Sequence, residues 1–336
     1  METSKIVVAK ERLEYVDAMR GVSMLLVVYF HLTLLFDCVN SSLNPLFQGF
    51  RMPLFFFVSG FFAYTTTITP PLLLKKIKNR VLGQLIPTIT VGVLYLMTFD
   101  MPWEAMIFTE IKAGYWFTLV LFEGFVIYIL LAYMLNRVCN AKRMVIYLTL
   151  AVGMELLALF SHRWDNESWW KMISGFYLVK YMPYFLLGVC ARMYFMRFLK
   201  LIENRYLVSC CFIAYVAFVI EGSTVSNGLK GVVGVFFVFS LFYHYRDYFS
   251  GPSRIGRSLR YIGRYTLVIY LGHYIIMHGV AAMTPYVRIF TSTWLTGVFI
   301  ILSLSLLVTG VCLIIERVLR VMPPVYLLLL GPEKKK

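Results

Sequence analysis

The stretch that decides the reading is "DAMRGVSMLLVVYFH", Asp17 to His31. Most of it is apolar enough to enter a bilayer, yet a carboxylate and a guanidinium stand at its start and an imidazole at its end. Eleven residues separate Arg20 from His31, close to three whole turns at 3.6 residues per turn. The two side chains therefore share a helix face, with His31 roughly 16 Å further along, near the middle of a hydrocarbon core about 30 Å thick. Asp17 precedes Arg20 by one turn on that face. A polar stripe thus runs from one mouth to the midplane, where ionisable groups are costly unless they meet a cavity or a partner.

The rest of the chain supports a membrane reading of this segment. Of its 336 residues, 60% are hydrophobic and 15% charged, and the mean hydropathy is +0.75, outside the range of a soluble domain. Stretches long enough to cross fall near 19–37, 48–67, 81–99, 113–135, 144–160, 172–192, 206–221, 229–245, 264–284 and 293–315. The expected fold is all-α, a polytopic bundle of about ten transmembrane helices with both termini cytoplasmic. In that orientation the inside segments hold 25 of the 32 Lys and Arg residues, as the positive-inside rule requires. Arg51, Lys112, Arg163, Lys171, Lys230 and Arg288 lie outside, and Lys180 within a span. The net charge of +15 then needs no nucleic acid, whose binding calls for a basic folded face with stacking aromatics.

Other global signals are quiet. The six cysteines form neither a CxxC pair nor a Cys/His metal spacing, so no metal site and no disulfide framework are expected. The first apolar run has a basic leader but no small-residue cleavage site, and is read as a retained span. One membrane domain over residues 1–336 is expected, with no appended soluble domain.

A second midplane histidine strengthens the first. In "YIGRYTLVIYLGHYIIMH", His273 lies nine residues beyond Arg264, roughly 13 Å into its span. Thr266, Tyr270 and His273 share a face at i, i+4 and i+7. A lone histidine in a span is quite often a hydrogen-bonded packing residue, and a terminal arginine is usually an anchor. Two imidazoles at similar depth shift that balance toward function. Trp116 and Glu123 share a face of the fourth span, where Glu123 would orient a histidine or shuttle a proton; a neutral, locally bonded carboxyl is an equal reading. Lys180 and Glu155 are further intramembrane charges that snorkel or pair in the bland reading. His278 turns away from the stripe and is left out. For the aromatic "MPLFFFVSGFF" (Met52 to Phe62) with its Ser59-Gly60, close helix packing is preferred to a binding box. Trp103, Trp164, Trp169 and Trp170 with Asp165, Asn166 and Glu167 read first as interface anchors and second as sugar contacts.

These motifs, in this order, resemble the membrane-bound acyltransferase 3 superfamily. The resemblance rests on Asp17, Arg20, Gly21 and His31, on "MPLFFFVSGFF", on the basic loop before "RVLGQLIP", and on "YWF" (Tyr115 to Phe117). It continues through "YFLLG", "IGRYTLVIYLGH" and the terminal "IIER" (Ile314 to Arg317), and so spans about 12–317.

The resemblance implies a ten-helix bundle that moves an acyl group, most often acetyl, from cytoplasmic acetyl-CoA or another acyl-CoA to a hydroxyl on the far side. The acceptor is expected to be a carbohydrate or glycolipid, and the location a bacterial cytoplasmic membrane. Position by position, His31 matches the family's essential histidine and Arg20 its donor-end partner. Of the family's paired arginines, Arg80 matches the first, while Gly83 stands at the second, with Lys75, Lys76 and Lys78 upstream as substitutes. The catalytic candidates are His31, Arg20, Glu123 and His273, with no metal. Asp17, Arg20, Lys75, Lys76, Lys78 and Arg80 are the donor-binding candidates, and Trp116, Tyr270 and Lys180 the lining of an acceptor path. His31 acts as general base or transient acyl carrier in this reading, both suited to a neutral imidazole. A transporter or flippase would also use midplane charges but would show paired, interrupted halves, and none are found. A sensor or scaffold leaves the two histidines unexplained.

Overall fold

Helices account for the regular structure of the computed structural model, which describes residues 13–38, 43–221, 227–290 and 293–332; no strand occurs among them. The main elements are α1 (Glu14–Leu35), α2 (Arg51–Ala63), α3 (Pro70–Arg80), α4 (Ile86–Thr98), α5 (Trp116–Met134), α6 (Asn140–Phe160) and α7 (Gly175–Met193). They continue with α8 (Phe195–Glu203), α9 (Arg205–Glu221), α10 (Asn227–His244), α11 (Arg254–Arg264), α12 (Thr266–Val280), α13 (Trp294–Leu319) and α14 (Pro323–Leu330).

A helix stands at each of the ten expected positions, but they are not ten equivalent spans. Among the described residues seven helices are long and apolar enough to cross, or eight if α8 and α9, bent by 74° at Asn204, are one broken span. Gly228–His244 is a shorter apolar helix. Helix α7 carries Lys180 and three tyrosines among its 19 residues, and lies largely inside the bundle, so its environment is protein more than lipid.

Two glycine crossings hold the functional helices together. A Cβ on Gly21 of α1 would collide with the carbonyl oxygen of Leu259 in α11, and one on Gly263 with the carbonyl oxygen of Asp17. The backbones of α1 and α11 are therefore in direct contact where Asp17 and Arg20 emerge, as small residues permit between membrane helices. Gly60 of α2 and Gly188 of α7 make the same kind of contact with the carbonyls of Phe185 and Phe57. The small-residue packing expected for Ser59-Gly60 is thus realised at Gly60.

Helix α3 does not run straight into α4. Pro87 has no N–H and its ring crowds the carbonyl four residues back, at Gly83; the chain answers with a π-helical turn over Val81–Leu85. That turn aims Arg80 and Gln84 inward. At the other end of the chain, Glu316 of α13 is fully buried (0% exposed). Its Oε1 accepts from Arg320 Nε at 2.6 Å and from the Tyr326 hydroxyl at 3.3 Å, while Arg320 also donates to the Tyr265 hydroxyl. The "IIER" glutamate therefore ties α14 and the α11–α12 junction to the end of α13.

Candidate functional site

Helices α1 and α12 bring the two histidines face to face. The His31 and His273 ring centroids are 5.2 Å apart, so the depth match inferred from two separate arginine spacings is a contact. The imidazoles differ in setting. His273 is fully buried, and its Nδ1 lies 2.7 Å from the Tyr270 carbonyl oxygen and 3.0 Å from that of Ile269. A carbonyl only accepts, so Nδ1 carries the proton; Nε2 has no hydrogen-bond partner among the described residues. His31 is partly exposed, and the hydroxyl of Tyr274 lies 3.2 Å from either ring nitrogen.

Tyr274 is a residue the sequence reading missed. Its signal was available, because it continues the Thr266, Tyr270, His273 face at i+8. Tyr270, which was expected to line the site, braces it instead. Its hydroxyl donates to the Gly114 carbonyl at 2.8 Å and accepts from the Phe117 amide at 3.2 Å, anchoring the connection before α5 over α12. In that connection Lys112 and Ala113 hold positive φ values of 49° and 51°, a conformation costly for residues with a Cβ. Lys112 is buried and held by the carbonyl oxygens of Ile107 and Lys171.

Arg51 is the second residue missed, read from sequence only as an outside cation. It is 6% exposed and reaches from the first turn of α2 across to α1. Its guanidinium lies 4.0 Å above the Phe30 ring, and Nη1 makes a long 3.5 Å contact with the Leu26 carbonyl oxygen. Phe30 in turn packs on His31, with ring centroids 5.2 Å apart. The Arg51 charge acts on His31, and no carboxylate pairs with it among the described residues.

At the mouth of the stripe the charged groups bond to one another and to α12. Arg20 Nη2 donates to Thr266 Oγ1 at 3.0 Å and lies 3.9 Å from Asp17; Asp17, buried, also pairs with Arg264 at 3.8 Å. Arg80 comes within electrostatic reach of Arg20. It donates to Gln84 Oε1 at 3.1 Å and lies 4.5 Å from the Phe125 ring centroid, and Gln84 donates to the Thr118 carbonyl at 2.7 Å. No carboxylate pairs with Arg80 among the described residues. The lysines are less convergent. Lys75 and Lys78 are exposed, and Lys76 closes the end of α2 by donating to Ala63 O at 3.4 Å and to Thr65 Oγ1.

Three other candidates stand apart from the imidazoles. Glu123 makes no hydrogen bond or ion pair with either histidine; its Oε2 is buried without a partner, and its charged neighbour is Lys112. Lys180 sits 5.1 Å from the Phe176 ring centroid, with Glu155 as its charged neighbour. Trp116 stacks on Tyr177 at 4.0 Å and on Tyr181 at 5.5 Å, and Phe56 continues the stack on Tyr181 at 5.1 Å. The aromatic second-span motif is therefore largely wall. His278 points to the Tyr95 hydroxyl at 3.1 Å, away from His31. Among the described residues no group of three or more His, Cys, Asp or Glu side chains is placed to hold a metal ion.

Taken together, these side chains follow α1. Arg20, with Arg80 within electrostatic reach, stands at one end, and the partly exposed His31, backed by the buried His273, stands three turns on with Arg51 over the adjoining Phe30. A family model described as an acyltransferase domain matches residues 13–317. No curated protein and no solved structure matches the chain.

Proposed function

The chain belongs to this acyltransferase family, and from that premise we propose that it is a membrane O-acyltransferase using an acyl-CoA, with acetyl as the expected group, to acylate a hydroxyl of an extracytoplasmic glycan or glycolipid. The observation that carries the reading is the shared contact of His31 with His273 and Tyr274, three turns of α1 from the Arg20 and Arg80 pair. Two like charges within electrostatic reach of each other, only one of them ion-paired to a carboxylate among the described residues, favour an anionic ligand, and guanidinium binds phosphate in a bidentate fashion. The CoA phosphates would rest there, with Asp17 and Thr266 orienting Arg20, and the thioester would extend toward His31.

His31 then acts as general base. It takes the proton of the acceptor hydroxyl while that oxygen attacks the thioester carbonyl carbon. The tetrahedral intermediate carries an oxyanion, and Arg51 supplies the positive charge facing it. The C–S bond breaks, the carbonyl re-forms, and the CoA thiolate leaves with the proton that His31 returns. His273 is a positioning residue in this scheme. With Nδ1–H committed to backbone, it stays neutral and presents no competing proton to His31. Tyr274 holds the His31 ring through its hydroxyl.

The test compares cells carrying wild type, His31→Ala or empty vector at matched membrane levels, reading ester-linked acyl groups on surface glycans by mass spectrometry. Wild type should add acyl groups absent from both controls, since loss of a general base costs roughly 10²–10⁴-fold. Equal acylation by wild type and His31→Ala would remove His31 from the chemistry.

A further inference from the structure

We propose that the outward face of α11, where it meets the end of α13, is a binding site for one anionic phospholipid headgroup. Helix α11 carries four arginines, and the fold sorts them into two pairs. Arg260 turns inward, donating to the carbonyls of Phe249 and Gly251 and pairing with Glu14 at 3.4 Å. Arg264 pairs with Glu14 at 3.6 Å and with Asp17 at 3.8 Å. Arg254 and Arg257 face the other way. Both are exposed, and neither has a hydrogen bond or a carboxylate among the described residues.

These two arginines line a concavity of about 640 Å³ together with Ser258, Tyr261, Ile262 and Leu313 of α13. A third guanidinium stands at its edge, since Arg317 donates through Nε to the Tyr261 hydroxyl at 3.3 Å. The acid beside it in sequence, Glu316, is fully buried and spends its hydrogen bonds on Arg320 and Tyr326. Three cations therefore surround one hollow with no carboxylate ion-paired to them among the described residues. Their chemistry calls for phosphate oxygens, which guanidinium binds in a bidentate fashion.

The apolar half of the hollow selects the source of that phosphate. Ile262 and Leu313 line it, and Ile314 and Val318, next along α13, are exposed at 63% and 60%. A soluble anion would use the arginines and leave this surface bare. A phospholipid uses both, with its headgroup on the guanidiniums and its chains along α13, as in basic pockets beside membrane helices. The site is separate from the imidazoles and does not rest on acyl transfer.

The purified protein, reconstituted in nanodiscs of equal phosphatidylglycerol and phosphatidylcholine, would be released and its retained lipid counted by native mass spectrometry. Wild type should retain phosphatidylglycerol in preference. The Arg254→Gln/Arg257→Gln double variant should lower that preference by more than about tenfold, on the basis of roughly fivefold per arginine. The Arg254→Lys/Arg257→Lys pair should keep most of it, which separates charge from misfolding. Arg137→Gln, removing an exposed arginine from the connection between α5 and α6, should leave it unchanged. Equal preference in wild type and the double glutamine variant would overturn the proposal. So would equal loss on Arg137→Gln, or displacement of phosphatidylglycerol by millimolar CoA or inorganic phosphate.

Discussion

Where α1 meets α12, His31, His273 and Tyr274 come together with no carboxylate hydrogen-bonded to any of them among the described residues, whereas at the mouth Arg20, Arg260 and Arg264 are tied to Asp17 and Glu14. The midplane groups satisfy one another through hydroxyl and backbone, which keeps the deep part of the stripe neutral where charge is most costly. The mouth groups stand 3.4–3.9 Å apart, and each pair has at least one partner 30–40% exposed, so each ion pair is worth at most about 1 kcal/mol. Such loose pairs orient guanidiniums without holding them so firmly that an anionic ligand could not compete. Arg51 breaks the pattern. It is a buried cation on the histidine side with an aromatic ring and a backbone oxygen in place of a counterion.

Removing that exception should have a large effect second only to loss of His31. Arg51→Met is expected to lower kcat by about 10²-fold, the scale for removing one preorganised oxyanion donor, while changing the donor KM by less than about twofold. Arg51→Lys should recover part of the loss, and steady-state kinetics on detergent-purified protein would read both. A rise in KM equal to the fall in kcat/KM would move Arg51 from the reaction to binding. Arg20→Ala sharpens the other side of the comparison. Its donor KM should rise about tenfold or more, as for a lost hydrogen bond to a charged group, with kcat little changed.

His273→Gln should be milder at neutral pH, since the amide can still donate to the backbone carbonyls. About a tenfold fall in kcat is expected, within the low end of general-base effects. A shift in the acid limb of the pH–rate profile should accompany it, because the neighbour that faces His31 has changed. An unchanged pH profile with reduced protein yield would make His273 a packing residue alone.

The smallest effect concerns the outer connection. Both carboxyl oxygens of Glu110 are buried without a hydrogen-bond partner, and burial pushes its pKa up from 4.5 to about 6 against the opposing pull of Lys112. A carboxyl whose folded pKa is raised stabilises the fold fully below pH 4.5 and loses that contribution as pH rises through 6. Glu110→Gln should therefore flatten the thermal stability profile between pH 4.5 and 6. At pH 7 it should be the more stable protein by less than about 2 kcal/mol. A wild-type profile already flat over that window would show that the carboxylate is hydrated.

Much of the site was legible because it lies along single helices. Arg20 and His31 share α1, and Thr266, Tyr270 and His273 share α12, so helical periodicity alone placed each set on one face. The same arithmetic reached Tyr274, and only the choice to stop at i+7 left it out. Arg51 was not legible in this way. Its place depends on the first turn of α2 meeting Leu26 and Phe30 of α1, 25 and 21 residues earlier, across a connection that no periodicity describes. Glu123 failed in the opposite sense. Its depth was readable, but the rotation of α5 that sets its neighbours was not, and its charged neighbour is Lys112.

The sequence by itself determined that the chain is helical and membrane-embedded, that a polar stripe runs to two midplane histidines, and that its motifs are those of an acyltransferase family. These are properties of composition and of spacing within one helix, where geometry is constant. Tertiary structure alone decided that the histidines touch, that Arg51 packs over Phe30 beside His31, that Arg80 comes within electrostatic reach of Arg20 past a π-helical turn, and that two of the α11 arginines have no hydrogen bond or carboxylate among the described residues. Each of those outcomes depends on which face one helix presents to another, and the glycine contacts at Gly21, Gly60, Gly188 and Gly263 are where the fold makes that choice.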